Sequence, residues 1–167
     1  FAVEFEDPRA ALERLQTAGI KVGRVQLSSA LTVTFPEDDE GAAAVTERLQ
    51  RFADSTYLHQ VIERREGQEL RHFADLDEAL RIGRPPAGTE WRIHFHVPLF
   101  AASYDGLGST QEYVRTILAT AAQTRFAAHF EIETYTWEVL PTGLKIDLLE
   151  SIGREYEWVL ENFPLST

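Results

Sequence analysis

Trp91-Arg92-Ile93-His94-Phe95-His96-Val97 alternates bulky apolar with polar side chains and is stopped by Pro98. Successive side chains of a β-strand leave on opposite faces, so Arg92, His94 and His96 share one face while Trp91, Ile93, Phe95 and Val97 share the other. A second run, His129-Phe130-Glu131-Ile132-Glu133-Thr134-Tyr135, alternates in the same way and sets Glu131 and Glu133 on one face. Parallel strands covered on both sides read as near-continuous apolar runs, and these do not. The space their polar faces share must therefore be hydrated, hydrogen-bonded or occupied by an ion.

Outward from these strands the chain punctuates itself clearly. Asp7-Pro8 opens a helix over 8–18 that Gly19 closes, since Asp caps exposed amides and Pro suits the first helical position. Ile20 to Leu27 reads as a strand with polar Gln26, Ser28 and Ser29 at its exit. Asp38, Asp39 and Glu40 start a second helix with Val45, Leu49 and Phe52 inward. Tyr57 to Arg64 and Glu69 to Phe73 read as a hairpin turning at Gly67, and Asp75 with Glu78 forms a capping box for a short helix ending at Gly83. Ser109 and Glu112 form another, ahead of Val114, Ile117, Leu118 and Ala121. A last helix has Leu149, Ile152, Tyr156 and Val159 as its expected buried stripe. Strands alternating with helices of this length indicate parallel pairing through right-handed crossovers, hence an α/β class in one domain over 1–167.

Composition narrows the function classes. A net charge of −11 opposes a grip on a phosphate backbone, so no nucleic-acid partner is expected. With no cysteine, disulfides, thiolate nucleophiles and Cys-based zinc sites are excluded. No apolar run approaches the roughly 20 residues that span a bilayer, so the chain is not expected to be integral to a membrane, and cytoplasm is the default location. The chain begins at Phe1, inside what reads as a strand end, and holds no methionine, which suggests an excerpt of a longer protein.

Imidazole and carboxylate together suit Zn, Mn or Fe, and His59, His94, His96 and Glu133 are the candidate ligands. The competing reading is structural: the histidines hydrogen-bond to the Glu pair, and Glu131 and Glu133 form salt bridges to Arg92 or Arg24. Trp91, Phe100, Tyr135 and Trp137 are candidates for the mouth of a pocket taking a partly apolar ligand, or else are core.

The segments Val3-Glu4-Phe5-Glu6-Asp7-Pro8, Val25-Gln26-Leu27-Ser28-Ser29-Ala30-Leu31, His94-Phe95-His96-Val97-Pro98 and Glu131-Ile132-Glu133-Thr134-Tyr135-Thr136-Trp137-Glu138-Val139-Leu140-Pro141 resemble the Ebo-type (EboE-like) metabolite-traffic proteins. The resemblance implies the C-terminal part of a xylose isomerase-like TIM (β/α)8 barrel, of the sugar phosphate isomerase/epimerase-like superfamily. It further implies a divalent metal at the barrel mouth, with Gln26 at a ligand position and Glu133 as the final-strand ligand and acid/base, assisted by His96. A small metabolite is the implied partner, and the rest of the barrel is then expected from a longer parent chain or a partner chain. A metal-dependent sugar isomerase or epimerase and a non-catalytic metabolite-binding module are the alternatives.

Overall fold

The computed structural model describes residues 1–53, 57–134, 136–138, 140, 142–143 and 145–163. Helix α1 (Pro8–Thr17) starts where expected, with Asp7 accepting from the Ala10 amide, and ends before Gly19, whose positive φ a side chain would strain. Two strands follow almost without a break, β1 (Val25–Leu27) and β2 (Ser29–Thr34), then α2 (Asp39–Gln50), capped by Asp38. The hairpin of β3 (Val61–Arg64) and β4 (Arg71–Phe73) leads to α3 (Leu76–Arg81), capped by Asp75. Strand β5 (Glu90–Val97) is the alternating run quoted above. Next come β6 (Ser103–Tyr104) and β7 (Leu107–Ser109), joined by Asp105-Gly106, both at positive φ as a tight hairpin turn requires. Helix α4 (Gln111–Thr124), β8 (Phe130–Ile132) and α5 (Leu148–Asn162) complete the order.

The parallel barrel expected from the sequence is not what forms. Among the described residues six strands make an antiparallel sheet in the order β4-β3-β5-β2-β7-β6, and only β1 and β8 pair in parallel, as a separate two-stranded ribbon. There is no barrel, so the chain is not an excerpt of one, and the need for the rest of a barrel from elsewhere falls with it. The physical reason lies in the alternation of residues 91–97. An antiparallel sheet can be covered on one face and polar on the other, whereas parallel strands covered by helices read as near-continuous apolar runs. Here the face with Leu31, Val33, Phe73, Trp91, Ile93 and Phe95 is closed by Val45 and Leu49 of α2, Phe52 just after it, and Leu76 of α3. Each such buried side chain contributes roughly 1.5–3 kcal/mol.

A second core joins the ribbon to α1, α4 and α5 through Leu12, Leu27, Leu99, Val114, Leu118 and Trp158. Its helix α5 is turned differently from expectation. Ser151, Glu155 and Trp158 face inward, whereas Leu149, Ile152 and Tyr156 are exposed and Val159 is half-buried. The cause is a polar clasp. The buried Glu155 carboxylate accepts from the Leu99 amide at 2.9 Å and the Thr134 hydroxyl at 2.6 Å, while Gln111 donates to the Leu99 carbonyl at 2.6 Å. Burial pushes the Glu155 pKa up, so its charged form carries a cost at neutral pH that its two hydrogen bonds offset in part. Glu155→Gln, which still accepts from Leu99, is expected to hold or raise stability at pH 7. Glu155→Ala strands that amide and should lose about 1–3 kcal/mol. Urea unfolding of both variants checks this, and equal losses would contradict the clasp. Among the described residues no helix is long and apolar enough to cross a membrane.

Candidate functional site

The polar face of β5 and the exit of β8 meet at one place. The register of β2 against β5 shifts between Ala30 and Leu31, opposite His94 and Phe95, which bends the strand beside the ribbon. The segment after β8 is tied to β5 there twice: His96 Nδ1 bonds the Glu133 carbonyl, and the Thr136 hydroxyl donates to the His96 carbonyl. Because a carbonyl can only accept, the His96 proton sits on Nδ1, which leaves Nε2 as the acceptor nitrogen. His94 Nε2 lies 3.1 Å from that Nε2, so His94 must be the donor between them. Its Nδ1 is then the basic nitrogen of the neutral ring. His96 is 2% exposed, whereas His94 faces solvent.

The electrostatics follow from this layering. Burial lowers the His96 pKa to about 4, against the opposing effect of the bond to the Glu133 carbonyl, and proximity to His94 lowers it further. His96 is therefore neutral at pH 7. The His94 pKa is lowered chiefly by burial, with the Glu133 charge acting in the opposite direction and the Phe1 amino group depressing it.

The remaining expected ligands lie elsewhere. His59 is buried with its ring 5.1 Å from Phe95, whose side chain belongs to the first core, so the sheet separates it from His94 and His96. Gln26 is exposed on β1, paired in register with Glu131. Glu131 forms the salt bridge to Arg24 at 3.0 Å. Among the described residues no group of three His, Asp or Glu comes together to hold a metal ion. Among the described residues the expected ligands Gln26, His59, His94, His96 and Glu133 are therefore not gathered into one set.

A cavity of about 280 Å³ lies between α1, β1 and α4, and Phe1, whose amino group acts on His94, stands in its wall. Its walls are Leu12, Leu15, Val22, Ile117 and Phe126, its rim carries Arg24, Gln26 and Ser28, and Phe1 and Ala2 close it toward β5. Arg92, on the His94 face of β5, donates to the Ala2 carbonyl. Tyr113 also lines the cavity. Its hydroxyl is buried with no hydrogen-bond partner, and burial followed by Glu6 and Asp7 pushes its pKa up to about 12, so it stays a donor. Reading the sequence alone misses Tyr113, because an aromatic residue beside Val114 on an amphipathic helix looks like core. Of the aromatic residues expected at a pocket mouth, Trp91 is in the first core with Trp137 packed against it, Phe100 packs against the second, and Tyr135 lies outside the described residues. No family model, no curated protein and no solved structure matches this chain.

Proposed function

We propose that the chain binds a small, partly apolar alcohol or carbonyl compound, with its apolar part in the Leu12–Ile117–Phe126 cavity and its oxygen toward Tyr113. The observation that carries this reading is the Tyr113 hydroxyl, buried without a hydrogen-bond partner on a residue that lines this largely apolar cavity. Such a group costs about 1–3 kcal/mol while unsatisfied, which a ligand oxygen relieves. Handling of a small metabolite, as in the Ebo-type proteins the sequence resembles, is consistent with this chemistry.

His94 gives the site its capacity for proton transfer. The Glu133 carbonyl fixes the His96 tautomer, neutral His96 accepts from His94 Nε2–H, and His94 Nδ1 is thereby set to take a proton from a ligand. His96 acts as a positioning residue, and the Glu133 charge stabilises the imidazolium that forms. An isomerase-type proton shift needs no more from the protein than this base and the Tyr113 donor.

Titration with prenol and geraniol, followed by NMR shifts of the Tyr113 and Ile117 resonances, tests the reading. Saturable binding is expected, weakened about tenfold in Tyr113→Phe and lost in Ile117→Trp, which fills the cavity. Binding indifferent to Ile117→Trp, or none at all, would remove the proposal. Binding with no turnover in either wild type or His94→Gln makes the site a binding module.

A further inference from the structure

Helix α5 turns an ordered apolar stripe to solvent. Leu149, Tyr156 and Leu160 stand on one line of the helix and are 78%, 57% and 64% exposed, with Ile152 beside them. Gly153 lies within the stripe, and a side chain built there would meet nothing within 4 Å, so a second backbone can come close. Glu150, Glu157 and Glu161 each follow a stripe residue by one position and are exposed, so an acidic row runs parallel to the apolar one. Arg154, the one basic residue of α5, is drawn aside onto the Phe100 ring at 4.1 Å.

An apolar stripe of this regularity on a surface helix marks an interaction site. We infer that α5 docks an amphipathic helix of a partner protein whose apolar stripe is flanked by Lys or Arg. The acidic row decides between occupants. If two copies of this chain packed α5 against α5 in the antiparallel two-fold manner, each Glu row would face its own image, on molecules that already carry a charge of −11. A basic flank instead pairs Lys or Arg with Glu150, Glu157 and Glu161 while Leu149, Tyr156 and Leu160 bury against its apolar residues.

The test uses two fluorescein-labelled synthetic helices with leucines at helical spacing, one flanked by lysine and the other by glutamate, read by anisotropy, with sedimentation velocity of the unliganded protein alongside. The lysine peptide is expected to bind saturably and the glutamate peptide not to bind. Affinity should fall at least about tenfold in a Glu150→Lys/Glu157→Lys/Glu161→Lys variant and again in Leu149→Ser/Tyr156→Ser, both with unchanged circular dichroism because every altered residue is exposed. Binding of the lysine peptide that ignores both variants overturns the proposal. So does a dimer that Leu149→Ser/Tyr156→Ser dissolves, which would assign the stripe to a second copy.

Discussion

Phe95→Ala is expected to cost about 3–5 kcal/mol, enough to unfold much of the population of a domain of ordinary stability. Phe95 is fully buried, and its ring meets Phe52, just past the end of α2, edge-on at 5.0 Å and the His59 ring at 5.1 Å. Removing it opens a cavity between the sheet and α2 that rigid neighbours cannot refill. It also frees the strand position between His94 and His96, so the loss should reach the site through the backbone. Urea unfolding of the variant beside His94→Ala checks the contrast. His94 faces solvent, and its truncation is expected to change stability by only about 0.5 kcal/mol. A loss below about 1 kcal/mol for Phe95→Ala would mean that β5 does not pack on α2 as described.

The second large effect is on the pH dependence of stability. His96 titrates at about 4 in the folded chain against 6.5 for an ordinary imidazole. Between those values the unfolded chain holds a proton that the folded chain refuses, so stability falls as the pH drops from about 6.5 to about 4 and levels off below. The total comes to roughly 3 kcal/mol. His94, also lowered, adds a loss of the same sign, while Glu155, whose pKa is raised, contributes the opposite sign as it protonates. His96→Asn isolates the His96 part, because its side-chain amide can still donate to the Glu133 carbonyl but does not titrate. The difference between wild type and His96→Asn in urea unfolding should be constant above pH 7 and turn against wild type on acidification. A constant difference down to pH 4 would contradict a buried neutral His96.

Local structure was legible in the sequence wherever one chemical signal sufficed. Asp7-Pro8, Asp38 and Asp75 cap the helices they were expected to cap, and Gly19 follows α1 as a C-terminal stop. Ser109 was expected to start α4, but Thr110 takes the cap position, and its hydroxyl oxygen accepts from the Ala30 amide. Strand direction was not legible, because β2, β6 and β7, whose pairing makes the sheet antiparallel, were not expected as strands. The alternation in 91–97 reads only as a polar shared space, and both the alternation of strands with helices and the resemblance carry the reading toward a parallel barrel. Apolar spacing located the stripe of α5 but not what covers it. Glu155 and Ser151 point inward because Leu99 and Thr134 offer partners there, a tertiary fact that periodicity does not contain.

The site was legible in part. His94 and His96 share a face as the period of two requires, and the exit of β8 does reach them, but through the Glu133 carbonyl, which any residue supplies. His59 carries the same chemistry and ends on the other side of the sheet, since the turn into β3 sets its face rather than its residue type.

Long-range nitrogen NMR of the imidazoles reads the tautomer and the protonation of each histidine in the intact chain. The arrangement of His94, His96 and Glu133 requires His96 to carry its proton on Nδ1 at pH 7 and to remain neutral until the pH approaches about 4. A His96 protonated on Nε2, or one titrating near 6.5, would show that the Glu133 carbonyl does not hold it and that His94 is not set up as a base.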